Sequence, residues 1–220
     1  MNARVLPILG ALLMLAACAA NRMEMDVRAP AVANPVAGQA FRLTVVDTRS
    51  FAAGPRGRSA PSLGDGAEAD AAIAPRAFAR KPGADGASSV SLLLPEGRTA
   101  AQVTRDALAA ALREQGYRVV SDGDPDYAAA RPLSAEMQQF WAWMEVVPPE
   151  PVALYYYECD IRVHLTGDWP LADNGERDLR GDEWVFHGDA RDDHWRGIVE
   201  ESLGELIYVL KVTSKKAAGG

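Results

Sequence analysis

The side chains best suited to chemistry gather near the C-terminus, where His187, Asp189, Asp192, Asp193 and His194 share one short stretch. Two imidazoles with neighbouring carboxylates form a donor set that suits a divalent ion. The same aspartates stand where a helix should begin, and a carboxylate there has a complete role in accepting the first turn's free N–H groups. His187 belongs to a strand and His194 to the helix, so they converge only if the intervening turn allows it. Capping by Asp192 or Asp193 is the expected role, and no residue is assigned as a metal ligand. Glu158 and Asp160 are paired carboxylates on one strand face, but that face is expected to be charged. His164 lies on the same polar face without a partner motif. The sequence has no serine in a nucleophile elbow, no phosphate-cradling glycine loop and no zinc-protease helix. The chain is therefore expected to be non-enzymatic, with no catalytic residue, no metal and no dissociable cofactor.

A different reactive position opens the chain. Arg4 gives the first residues a positive charge, and Val5 to Leu15 are apolar apart from Pro7 and Gly10. That run is too short for a spanning helix, which needs roughly 20 apolar residues, and has the length of a signal-peptide core. Leu15-Ala16-Ala17-Cys18 follows. This tetrad resembles the lipobox of bacterial lipoproteins. The resemblance implies cleavage between Ala17 and Cys18, and a covalent diacylglycerol and N-acyl chain, palmitate or similar, on Cys18. Ala19 in place of Asp resembles the pattern of proteins sent to the outer membrane, facing the periplasm. Cys159 then has no partner within the chain, and its place on an apolar strand face makes it a buried small hydrophobe.

Charge narrows the partners. The formal net charge is −7, and removal of residues 1–17, which hold Arg4 and no acid, makes it −8. Nucleic acid and anionic lipid surfaces select clustered Lys and Arg, so neither is an expected ligand. The expected partners are the membrane, reached through the anchor, and an envelope protein.

The elements that must position these residues follow from periodicity. Residues 18–40 read as a lipidated cysteine and flexible tether, about 20 residues spanning roughly 25 Å as a coil. One domain is expected over 41–213, with a tail over 214–220. Phe41 to Val46 form a strand closed by Asp47-Thr48-Arg49. Residues 50–87, rich in Gly, Ala, Pro and Arg, read as a flexible insertion that cannot bury enough surface to order itself. A second strand covers Ser88 to Leu94. Thr99 and Gln102 make a capping box, Val103, Ala107, Leu108, Ala111 and Leu112 an apolar helical stripe, and Gly116 a left-handed stop. Tyr117 to Val120 are a short strand. Leu133 to Met144 and Ala153 to Thr166 form a long hairpin, strict in alternation in its second arm and bulged near Gln139 or Phe140 in its first. Asp168 to Gly181 read as a polar loop, Glu183 to Gly188 as a strand, and the run from Asp192 as an amphipathic helix. The expected fold is a two-layer α+β domain with a largely antiparallel sheet and two helices on one face.

Rings concentrate in this sheet and the last helix: Phe140, Trp141, Trp143, Tyr155, Tyr156, Tyr157, Trp184 and Trp195. Most should be core. Phe140, Trp141, Trp143 and Tyr156 are also candidates for contact with a partner or a lipid, because both faces of the hairpin carry rings.

The order of elements is similar to that of YajG-type lipoproteins of the Gram-negative envelope. The shared features are the cysteine motif, a strand ending in Asp47-Thr48-Arg49, a helix running into Gly116-Tyr117-Arg118-Val119, the aromatic hairpin and a closing helix. The resemblance implies location and fold more than activity. Its functional expectation is a non-catalytic accessory or docking subunit of an envelope complex. A looser similarity, to auxiliary lipoproteins of ABC-type envelope lipid-transport systems, gives the alternative of lipid binding.

Overall fold

The computed structural model describes residues 22–51, 58–63, 71–83, 88–148, 153–171 and 176–214. Ala17, Cys18 and the whole leader lie outside the described residues, as does the tail from 215 onward. The strands are β1 (Arg22–Glu24), β2 (Ala40–Asp47), β3 (Ala77–Pro82), β4 (Ser89–Leu93), β5 (Arg118–Val120), β6 (Arg131–Val147), β7 (Leu154–Thr166) and β8 (Arg177–His187). Helix α1 spans Ala100–Glu114 and α2 spans Asp192–Thr213. They make an α+β fold with one mixed, mostly antiparallel sheet.

The long ladders β6–β7 and β7–β8 are antiparallel and form a three-stranded meander. The other edge of β6 is shared: its first half pairs parallel with β2, and Ala142 in its second half meets β3. Outward from β2 lies β5, and outward from β3 lie β4 and then β1. The register of β6 against β7 shifts between Met137 and Gln139. This bulge keeps Met137 and Phe140 on the same buried face, as the broken alternation implied.

Both helices pack on one face. Tyr157, Cys159, Ile161, Val163 and Leu165 of β7 point at them and are buried, together with Leu108 and Leu112 of α1 and Leu203 and Leu206 of α2. Each large aliphatic side chain removed from water in this way contributes about 1.5–3 kcal/mol. The start of α1 is capped as its sequence implies: Thr99 Oγ1 accepts from Gln102 N, and Gln102 Oε1 accepts from Thr99 N. Its end is a Schellman turn. Tyr117 N donates to Leu112 O, Gly116 N donates to Arg113 O, and Gly116 sits at φ 89°.

Three expectations are corrected. Residues 22–40, read as a tether, are held to the domain at several points: β1 pairs with β4, Val27 is fully buried, and the Asn34 amide makes two bonds with the Val119 backbone. Met23, Met25 and Val27 alternate with Glu24 and Asp26, a period of two that gives this segment a face to bury. Part of the 50–87 insertion is structured as well. Ile73, Ala77, Phe78 and Ala79 are buried, and β3 joins the sheet through small side chains. The loop read over Asp168 to Gly181 is shorter, because β8 begins at Arg177 and Trp169 and Leu171 are buried.

Arg49 locks the insertion to the sheet. Its guanidinium is inaccessible to solvent and pairs with Asp47 at 2.8 Å. It also donates to the carbonyls of Ala74, Ala77 and Phe140. A buried guanidinium requires this full set of acceptors. The Asp47-Thr48-Arg49 motif is thus a structural clamp.

Candidate interaction surface

The second face of the sheet is covered only in part. Leu63, Ile73, Ala77 and Leu93 close over Trp141 and Trp143, which are 1% and 8% exposed. Trp141 Nε1 donates to Arg58 O at 3.2 Å. Phe140 is fully buried on the opposite face, beneath the helices. Of the four rings proposed as contacts, these three are therefore core, because the insertion expected to be solvated covers the side of β6 that carries the tryptophans. Tyr156 alone remains at the surface.

It is joined there by rings from β8. Tyr156 lies opposite Phe186, and Glu158, two residues on, lies opposite Trp184. The ring centroids are 4.9 Å apart for Tyr156–Phe186, 6.0 Å for Tyr156–Trp184 and 5.8 Å for Trp184–Phe186. Trp184 is 59% and Phe186 48% exposed. Val147 and Leu154, opposite one another at the hairpin end, extend the apolar surface. Strand alternation could have placed Trp184 and Phe186 on this face once β8 was paired with β7, since both share the parity of Asp182.

Next to the rings runs a charged band. Asp160 is nearly inaccessible and accepts from Arg162 at 2.6 Å and Arg180 at 2.9 Å. This buried carboxylate has both oxygens satisfied, as its burial demands. Burial raises the Glu158 carboxyl above its usual range, and the like charges of Asp160 and Asp182 add to this, against a hydrogen bond from Tyr156 and the charge of Arg180.

The histidine cluster is assembled differently from a metal site. His187 and His194 stack face to face, 3.5 Å between centroids and 8° between planes. Ring nitrogens bind ions in the ring plane at about 2.0–2.1 Å, so two stacked imidazoles do not present their lone pairs to one point. Tyr157 stands edge-on to both rings and to Trp195. Burial, then the charge of Asp189, pushes the Tyr157 hydroxyl up to about 12. Its oxygen and His194 Nδ1 are buried without a hydrogen-bond partner among the described residues. The aspartates do not cap α2. The N-cap is Arg191, without a side-chain cap, and Asp192 and Asp193 occupy the first turn, paired with Lys81 and Arg191. There they favour the helix dipole instead. His164 is held by Asp178 at 2.7 Å, and Cys159 is wholly buried, its thiol pushed up to about 12 by desolvation.

The cations of the insertion among the described residues are also committed. Arg76 pairs with Glu24 and donates to Leu94 O, Arg80 bonds Ser89, Lys81 pairs with Asp192, and Arg58 donates to Met144 O. They stitch the chain to itself.

No family model matches this chain, and no curated protein matches it. Among solved structures it is similar to an uncharacterised protein at 10% identity, covering 86% of this chain and 98% of the other, with a TM-score of 0.41. A DUF330 protein from Xanthomonas campestris is similar at 12% identity, covering 86% and 92%, also with a TM-score of 0.41. A minor lipoprotein from Acinetobacter baumannii is similar at 8% identity over 53% of this chain and 87% of its own, with a TM-score of 0.33. All three fall below the level at which a shared role follows.

Proposed function

We propose that this chain is an envelope lipoprotein, anchored through acyl groups on Cys18 in the outer membrane, and that it docks non-catalytically on another envelope protein. The reading is supported above all by the ring cluster of Tyr156, Trp184 and Phe186. Rings half in water on a sheet face are stabilised by a partner that covers them. The same partner has main-chain groups within reach, because β8 pairs only with β7 among the described residues, leaving its outer edge open. No helix among the described residues is long and apolar enough to cross a membrane, and the attachment proposed is through the acyl chains. The lipid-binding alternative calls for an apolar groove. Phe140, Trp141 and Trp143, the rings that would line it, are instead packed in side-chain clusters.

Two linked experiments test this. Palmitate labelling of wild type and Cys18→Ser should give lipidated protein only with the cysteine. A photo-crosslinking residue at position 184 in living cells should give a protein adduct that the same residue at position 178, on the strand's far end, does not. Absence of labelling, or equal adducts at both positions, overturns the respective half of the reading.

A further inference from the structure

Resting on that docking surface, we propose that Tyr156, Trp184, Phe186 and Glu158 form a cation-recognition site for an arginine or lysine side chain of the partner protein. The sheet register makes these four residues one block. Tyr156 faces Phe186 across β7 and β8, and Glu158 faces Trp184 in the next outward-pointing row. Three corners are rings with centroids 4.9–6.0 Å apart, inclined to one another by 41°, 43° and 78°, so their faces do not stack shut. The fourth corner is a carboxylate. Aromatic faces attract cations through their quadrupoles within about 6 Å, most strongly on Trp, and a carboxylate at the corner supplies the formal counter-charge.

The surroundings match in sign. Glu145 lies directly opposite Tyr156 on β6, and Asp182 precedes Trp184 on the same face. Among the described residues neither Glu145 nor Glu158 forms an ion pair, in contrast to Asp160, which is held by two arginines. Three rings elsewhere in the fold have a cation over them: Arg42 over Tyr127, Arg49 over Phe51 and Arg131 over Phe41. The block has none of its own. Arg180, whose charge also acts on Glu158, is paired with Asp160 and Asp182. An arginine suits the block better than a lysine, since its planar guanidinium stacks on a ring while donating to a carboxylate.

The test uses the mature lipidated chain in detergent with 5-fluorotryptophan. The chain has five tryptophans, of which Trp184 is the exposed one and Trp141, Trp143, Trp169 and Trp195 are buried. Trp184→Phe assigns its signal, and the other four report on folding. The probes are an octapeptide alternating threonine and arginine, the same peptide with citrulline for arginine, and phosphatidylethanolamine vesicles. The arginine peptide is expected to move the Trp184 signal saturably, the citrulline peptide to bind at least tenfold more weakly, and Glu158→Gln to weaken the arginine peptide several-fold with the buried signals unchanged. Equal response to both peptides, a response to vesicles alone, or no response overturns the proposal. Crosslinking at position 184 separates the two readings. A protein adduct without arginine preference leaves docking intact and removes cation recognition, whereas neither adduct nor response removes both.

Discussion

Trp184 and Trp141 are the same residue type two strands apart on the same sheet face, and their environments set opposite consequences for removal. Trp141 is sealed under Leu63 and Ile73, so Trp141→Ala should cost about 3–5 kcal/mol in urea unfolding. Trp184 is more than half in water, so Trp184→Ala should change stability by no more than about 0.5 kcal/mol while weakening docking. The histidines give a signed pH dependence. Burial and the neighbouring His194 hold His187 below the usual imidazole value, while Asp189 and Glu201 pull the other way and Arg191 adds to the depression. A base with a depressed folded pKa takes up more protons unfolded, so its contribution is present above the ordinary value near 6.5 and is lost as pH falls below it. His164 has the reverse sign: its bond to Asp178 raises it, and its contribution fades as pH rises past that raised value. The acid-side loss should therefore shrink in His187→Gln and deepen in His164→Gln when the thermal midpoint is followed from pH 7.5 to 5. At this scale the sequence disclosed which side chains could matter, but not which were covered. Rings on both faces of the hairpin were legible, and Trp141 and Trp143 lie on the face away from the helices, opposite Phe140. Only the fold reveals that the insertion shields them and leaves Trp184 and Phe186 bare.

Helix α1 was legible from residues alone because each of its signals is local. The capping box, the stripe and Gly116 lie within one continuous run, and all three occur as expected. Thr99→Ala should accordingly cost about 1 kcal/mol. Strand β8 was half hidden for an equally physical reason. Its inward position 181 is glycine, so the hydrophobic alternation disappears where the strand is most tightly packed. A Cβ there would sit 2.2 Å from Ser202 O and 2.8 Å from Leu206 N, both backbone atoms of α2. Gly181→Ala must push the helix away, and should destabilise by about 1–3 kcal/mol in the same urea measurement. β3 was missed by the same logic, since Ala77 and Ala79 fill their places without announcing a buried strand.

The whole molecule depends on segments that composition would leave outside it. Residues 22–34 complete one sheet edge through β1 and close β5 through Asn34. Deleting them should lower stability by about 1.5–3 kcal/mol through Val27 alone, visible as an earlier denaturant midpoint, where a free tether would leave it unchanged. The described part of the domain starts at Arg22, four positions after Cys18, so the proposed anchor would have only a short reach. On the proposed reading, the face that docks is the block at the end of β7 and β8. The most direct measurement is partner retention by the anchored protein. Wild type and a Trp184→Ala, Phe186→Ala double variant, equally lipidated and equally stable, would be purified from membranes after identical mild crosslinking. Loss of a specific protein partner from the double variant is the expected result, and undiminished recovery of that partner would contradict docking through this face.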